Sequence, residues 1–395
     1  MTHDAIVIGL GPAGSTACRT LALKGLKVAG IDKAIHPRYK SCGGCISPKI
    51  DGLLGFDASH LIERTIHGIA FTYKFGRRLD VVSDRPLGYN VMRGAFDHLL
   101  VEKAREAGSE IIEGCRVTGV SDDGGHVTVR TADGRGLEAR FAIGADGASG
   151  FIGRERFGLN PRECAVSLTA EVPYGFAGAK EMTDRAHVDF GSIPFGYSWI
   201  FPKKDRLSIG IAVDSMRPGA GAKEHFRELV SRHPVLKGID ERAIKTDGWT
   251  VPVYYAGIKD MVRGRIAIAG DTGHLVDPFM GEGIYYAAAS GMAAAEAVAE
   301  AAASGRTDLS QYQRWLEEDV FPELKAACRL SEIVYRHPRL WYSIIEKEPE
   351  IMRRFYGVLR GEEGLAPFYG WVMSRIKARP WNLLRHWVAS RFRPA

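Results

Sequence analysis

The sequence predicts a mixed α/β (α+β) fold, in which a parallel-sheet domain is interleaved with an antiparallel-sheet domain and followed by a helical C-terminal region. Three observations carry this prediction. The chain opens on an apolar run that ends in a glycine-rich turn. Two later segments, "FAIGADGASGFIGRERFG" and "RIAIAGDTGHLVDPFMGEGIYY", each begin as a short apolar strand and end on paired Gly and Asp. Between them, "RAHVDFGSIPFGYSWIFPKKDRLSIGIAV" alternates as antiparallel strands do.

The first element, Ala5 to Ile8, reads as a buried parallel strand. Gly9, Gly11 and Gly14 then form G-x-G-x-x-G. Gly9 permits a tight turn, Gly11 lets a pyrophosphate approach the backbone, and Gly14 lets the following helix pack on the strand. The helix start offers free N–H groups and a positive dipole end. A second strand, Lys27 to Ile31, ends at Asp32, whose carboxylate can accept ribose hydroxyls. This is a Rossmann-like dinucleotide site. Pro12 and Ala13, after the second glycine, point to FAD rather than NAD.

The next element is the loop "YKSCGGCISPKI", with Cys42 and Cys45 around two glycines. Its spacing admits a redox pair, half a zinc site or a loop pressed against a cofactor. No second Cys/His pair with ligand spacing follows, so no metal is expected. Further along, Asp146-Gly147 closes a strand, where an aspartate is ordinarily a turn residue. In the antiparallel region Tyr197, Trp199 and Phe201 share one strand face, because side chains alternate. Pro202 to Arg206 reads as a solvated polar turn, and Leu207 to Val213 returns as the partner strand. The strand Ile266–Ala269 runs into Gly270-Asp271, a short loop and Pro278, then Gly281-Glu282-Gly283 opens a long helix. Asp271 can bind a ribityl hydroxyl, and the helix start can offer N–H groups to negative charge on a flavin ring.

The 395 residues, 45% hydrophobic and 25% charged, are ordinary globular composition. Six dispersed cysteines form no disulfide framework, and no signal peptide is seen, which places the chain in a reducing cytoplasm. The alanine-rich run after Gly283 contains Glu296 and Glu300 and reads as a packed helix rather than a membrane span. The net charge is +6, and after Glu363 six basic residues meet no acidic one. Trp371, Trp381, Trp387 and Phe392 are interleaved with them, a pattern that suits contact with an anionic membrane surface. "EKEPEIMRRFYGVLRGEEG" is an amphipathic helix candidate. No nucleic-acid partner is expected.

The elements near residues 10, 146 and 271 resemble the FAD fingerprint, the DG motif and the GD motif of para-hydroxybenzoate-hydroxylase-type flavoproteins. "VMRGAFDHLL" is similar to that family's R-x-x-F-D-x-x-L helix, which puts an arginine, here Arg93, by the cofactor. The resemblance covers most of the first 300 residues. It implies FAD held by Gly9, Gly11, Pro12, Ala13, Gly14, Asp32, Lys33, Cys42, Gly43, Arg93, Asp146, Gly147, Gly270, Asp271, Pro278, Gly281, Gly283 and Ile284.

Within that superfamily the chain resembles geranylgeranyl reductases, whose Y/F-x-W-x-F-P motif precedes a G-x-G. Tyr197, Trp199, Phe201, Pro202 and Gly210 match, while Ala212 replaces the last glycine and puts the packing of the second strand in question. "SCGGCISPK" matches the family's C-G-x-G-like loop through Cys42, Gly43 and Gly44. The resemblance implies hydride transfer from reduced flavin to isolated double bonds of an isoprenoid lipid. Cys42 would be the active-site cysteine, and Cys45 either its reversible disulfide partner or a buried structural thiol. Tyr197, Trp199, Phe201 and Pro202 would line the substrate tunnel, Tyr197 and Trp199 beside the chemistry. His274 and Glu282 would lie near the ring, as proton relays or cofactor supports. Arg77 and Arg78, or Lys203, Lys204 and Arg206, could hold a charged head group. No second nucleotide-binding unit is visible, so NAD(P)H, another reduced carrier or an electron-donor protein would act transiently. The domains would be 1–70, 95–160 and 262–325 for FAD, 71–94 and 161–261 for substrate, and 326–395 helical, with a peripheral position at the inner membrane surface. The same fold also admits a flavin monooxygenase, a flavin-dependent halogenase or an electron-transfer flavoprotein acting on quinones.

Overall fold

A computed structural model describes residues 3–175, 184–215 and 221–378. Two large sheets organise them. The first has eight strands, and its path runs Val262–Arg263, Ile266–Ile268, Gly136–Gly144, His3–Ile8, Val28–Ile31 and Glu110–Ile112. The four pairings from Ile266–Ile268 to Glu110–Ile112 are parallel. Ala5, Ile6 and Val7 are wholly buried at its centre, as an apolar strand covered on both faces must be. The helices Pro12–Leu23, Arg93–Glu106 and Ile284–Ala303 pack with it. Two close approaches need glycine. A Cβ on Gly14 would lie 1.7 Å from the Gly9 carbonyl, and one on Gly291 would lie 2.1 Å from the Ala13 carbonyl. The alanine-rich helix therefore sits directly on the start of the first helix.

The second sheet has seven strands in the order Asp247–Val251, Ala165–Pro173, Arg206–Asp214, Gly196–Pro202, Arg185–Phe190, Gly68–Tyr73 and Arg78–Val82. All its pairings are antiparallel except that between Arg185–Phe190 and Gly68–Tyr73. It packs against the helix Ala222–Arg232 through Ile209, Ile211, Phe226 and Leu229. A three-stranded sheet, Cys45–Ile46, Gly88–Val91 and Ile62–Ile66, joins the two regions.

The second sheet also buries an imidazole pair. His187 and His233 meet edge to face at 5.6 Å. Burial pushes His187 down to about 3, with His233 and Arg78 adding to it, and His233 down to about 4. A histidine whose folded pKa lies below its unfolded value, about 6.5, is favoured as a cation only in the unfolded chain. Stability is therefore intact above about pH 6.5 and lost progressively as pH falls toward the folded values. We expect acid unfolding to begin below pH 6.5, and His187→Leu to shift its midpoint to lower pH. Circular dichroism across a pH series measures both. An unchanged midpoint in the variant would dismiss the pair as the trigger.

Helices Phe321–Arg336, Pro338–Lys347, Pro349–Arg360 and Leu365–Ala378 cluster through Leu330, Trp341, Val358 and Phe368. They dock on the sheet edge, where Tyr356 Oη donates to the Val81 carbonyl and Tyr342 Oη to that of Arg77, each at 2.8 Å. The amphipathic segment forms Pro349–Arg360 as expected, with Met352 and Tyr356 turned inward. No helix among the described residues is long and apolar enough to cross a membrane. Most of the basic Trp-rich tail, from residue 379, lies outside the described residues.

Candidate active site

One cavity of about 580 Å³ runs between the two sheets and beneath the C-terminal helices. Its first arm begins at the glycine turn. Gly9, with φ +94°, packs on the Ala145 carbonyl, while Gly11, Pro12 and Ala13 line the arm. No side chain caps the helix that starts at Pro12, so its first N–H groups remain available to an anion. Asp32 is held as an acceptor: Oδ2 takes the Leu10 N–H at 2.7 Å and Oδ1 that of Ala34 at 2.8 Å. Lys33 Nζ reaches Ser149 Oγ at 3.0 Å, across the same arm. Arg38, which sequence reasoning missed, has Nη2 3.7 Å from where a Gly11 Cβ would be, and its Nη1 lies 3.3 Å from Asp97. A turn presenting open backbone, an arginine beside it and a fixed acid match the charge pattern of a dinucleotide.

Asp146 and Gly147 also line this arm. The Asp146 carboxylate turns back to the protein, accepting the N–H groups of Phe151 and Ile152 and the Thr272 hydroxyl. Asp271 lines the cavity next to Gly283 and Ile284, where the long helix begins without a side-chain cap. Gly14 and Gly270 serve from behind: Gly14 packs on Gly9, and the Gly270 N–H donates to Ser290 Oγ at 2.9 Å.

The Cys42–Gly43–Gly44–Cys45 loop stands where the cavity turns toward its second arm. The Gly44 N–H donates to Cys42 Sγ at 3.4 Å, and the Arg93 guanidinium lies beside the same sulfur. Arg93 forks onto Asp97 with two bonds of 2.9 Å. Cys45 lines the cavity but begins a strand paired to Asn90. Burial, with Cys42 and Glu282 nearby, pushes its thiol up to about 12. Both cysteines are free thiols here.

Gly43 lies against the aromatic row: a Cβ there would be 2.8 Å from the Phe201 ring and 3.0 Å from Trp199 Nε1. Tyr197, Trp199 and Phe201 do share one face, with ring centroids 5.9 and 6.0 Å apart. Gly210 is required opposite Trp199, since its Cβ would meet the indole at 2.3 Å. Ala212, opposite Tyr197, lines the cavity, so its methyl faces open space rather than the indole. Tyr335, on the helix Phe321–Arg336, stacks on Tyr197 at 6.4 Å. The Tyr197 and Tyr335 hydroxyls donate to consecutive carbonyls, Met280 O at 2.9 Å and Phe279 O. Beyond them the second arm is apolar, walled by Phe71, Leu87, Val188, Val334, Met352 and Phe355.

Several expectations need correction. Pro202 does not line the cavity; it is one residue out of phase with the row, and its carbonyl accepts from Asn90 Nδ2. Lys203 is no solvated turn: it is 1% exposed, bonds Glu171 at 2.7 Å and presses on Gly44. His274 turns away from the main cavity in left-handed backbone, φ +55°, and lines a small side pocket instead. Glu282 lines the cavity and pairs with Lys49 at 2.5 Å. Arg77 and Arg78 pair with Glu346 and Asp80 away from the cavity lining. Lys40 was missed. It stacks 3.5 Å above Trp249 and is lowered to about 8, chiefly by burial.

The family described as FAD binding domain matches residues 2–315. Geranylgeranyl diphosphate reductase of Rhodobacter capsulatus is 32% identical over 78% of this chain and 77% of its own length. Digeranylgeranylglycerophospholipid reductase 1 of Methanothermobacter thermautotrophicus is 29% identical, covering 83% of this chain and 86% of its own. A geranylgeranyl bacteriochlorophyll reductase-like protein from Thermoplasma acidophilum superposes with a TM-score of 0.75 at 21% identity, over 98% of this chain and 99% of that one. The flavin-dependent brominase Bmp2 shares the fold, with a TM-score of 0.72 at 20% identity over 95% and 99%.

Proposed function

Since the chain belongs to the geranylgeranyl reductase family of FAD-dependent oxidoreductases, we propose that it reduces isolated double bonds in a geranylgeranyl-type chain. That chain would be carried by a lipid, a diphosphate or a quinone. The observation that supports this most is the apolar second arm, which leaves the Cys42 loop and the aromatic row and runs under the C-terminal helices. Each methylene buried there contributes about 0.8 kcal/mol, so a long hydrocarbon is held without polar contacts.

FAD, when bound and reduced, supplies the hydride. Gly9, Gly11 and Arg38 would face its pyrophosphate, Asp32 a ribose, Asp271 the ribityl chain and the Gly281–Gly283 backbone the ring. Tyr197, Trp199 and Phe201 would hold the alkene against the Cys42 loop and exclude water. NAD(P)H or another reduced carrier would dock transiently as electron donor. A basic Trp-rich C-terminus would suit a membrane-borne substrate. A halogenase function is less well supported: the brominase shares the fold at 20% identity, whereas a geranylgeranyl diphosphate reductase is 32% identical.

The test is mass spectrometry after anaerobic incubation of chemically reduced, FAD-loaded protein with a geranylgeranyl lipid, geranylgeranyl diphosphate or a prenylated quinone. Stepwise gain of hydrogen pairs in one of them is expected, and the preferred one identifies the head group. Unchanged lipids, together with an aromatic acceptor oxygenated once air is admitted, would replace this assignment with a monooxygenase.

A further inference from the structure

Reduction of an isolated alkene needs a proton as well as a hydride, and the protein must deliver it where water is excluded. Among the described residues, the one wholly buried acid in the cavity lining is Asp277. Its side chain is fully buried in the loop that precedes the long helix. Oδ1 accepts two backbone N–H groups, Phe279 at 2.6 Å and Met280 at 3.1 Å. Oδ2 has no hydrogen-bond partner in the protein, although the residue forms part of the cavity wall. A buried carboxyl oxygen without a partner is costly unless it carries a proton or meets a ligand. The loop itself is pinned by Tyr197 and Tyr335, and Tyr197 feels the charges of both Asp277 and Cys42. Asp277, Cys42 and Tyr197 all line the same cavity.

Resting on the prenyl-reductase assignment, we propose that Asp277 is the proton donor to the alkene, with Oδ2 as the donating atom. The Oδ2–H bond breaks as the alkene π pair forms a new C–H bond. The adjoining carbon takes the hydride that reduced flavin supplies. The carboxylate left behind regains its proton from solvent between turnovers. A trisubstituted alkene gains positive charge at its more substituted carbon as the proton arrives. The faces of Tyr197, Trp199 and Tyr335 can stabilise that charge.

The surroundings raise the acid far above the ordinary carboxylate range. Burial pushes Asp277 up to about 7; Glu282 adds to this, while the two loop N–H groups and Lys49 oppose it. The other titratable groups that feel it are Tyr197, Tyr286, Tyr335 and Cys328, all raised by burial and so uncharged near neutral pH. Because the donor must be protonated, the rate should fall as pH rises through about 7.

Asp277→Asn keeps the Oδ1 acceptor and hence the loop, but cannot donate the proton. We expect it to bind FAD as wild type does and to lose about 10²–10⁴-fold in the rate of chain reduction. Asp277→Glu should regain part of that rate with a shifted pH profile. A readout independent of turnover is the infrared carbonyl band of a protonated carboxyl. It should be present in wild type at pH 6, fade as pH rises through about 7, and be missing from Asp277→Asn. A wild-type rate and pH profile in the FAD-loaded Asn variant, or an unaltered band, would overturn the donor and leave the reductase assignment standing. Wild-type protein that reduces none of the lipids would overturn that assignment and the donor with it.

Discussion

Replacing Arg93 by Met is expected to destabilise the fold by about 3–5 kcal/mol, the usual result of breaking a buried ion pair on one side. Arg93 is 8% exposed and Asp97 not at all, and two bonds of 2.9 Å join them. Without Arg93, the Asp97 carboxylate keeps a contact to Arg38 at 3.3 Å. That partial rescue should hold the loss near the lower limit. The Cys42 sulfur would also lose its guanidinium neighbour. Urea denaturation with parallel measurement of bound FAD checks this. Arg93→Met combined with Asp97→Leu should recover part of the stability, since the buried carboxylate is gone while Arg38 loses its partner, but not full activity. A single variant that costs under about 1 kcal/mol would show that the pair contributes little, as exposed pairs do.

Gly43→Val should reduce chain-reduction activity by about 100-fold, the scale of a misplacement of roughly 1 Å in an active site. FAD should remain bound. Gly43 has ordinary backbone, so the effect comes from contact alone. Its Cβ would sit 2.8 Å from the Phe201 ring and 3.0 Å from the Trp199 indole nitrogen. Either the rings move off the row, or the loop backs away and takes Cys42 with it. Neither movement touches the pyrophosphate turn at the other end of the cavity. The check is flavin absorbance for binding against single-turnover reduction of the lipid for chemistry. Loss of both together would mean that the loop also holds the cofactor.

The parts of the site visible in sequence are those encoded by a period or a turn. Gly9 and Gly11 announce a backbone shape, Asp32 follows at a set distance, and alternation alone aligns Tyr197, Trp199 and Phe201. The same alternation excludes Pro202, which the motif match had carried along. Contacts between distant segments were not visible. Lys203 stands in a run of polar residues that looks like any hairpin turn, and nothing local announces that Glu171 closes over it. Tyr335 belongs to a helix whose pattern suits ordinary core packing, yet its hydroxyl reaches the Phe279 carbonyl. Asp277 lies in a short loop with no pattern to single it out, and its second oxygen is found without a partner only in the fold. His274 stands in left-handed backbone and lines the side pocket, which nothing in the loop's sequence announces.

The paired tyrosine latch has a consequence for how the molecule breathes. The Phe279 and Met280 carbonyls are held by one residue from the antiparallel sheet and one from the C-terminal bundle. The amides of Met280 and Gly281 close back onto Asp277 from the other side. Displacing the loop as a whole therefore requires breaking a contact to the sheet and a contact to the bundle, a coupled opening rather than the fraying of one end. A hydrocarbon long enough to wedge those elements apart would loosen the loop as it enters. One that bridges them would slow its exchange, so substrate length would alter the local opening free energy of a loop that itself lines the cavity.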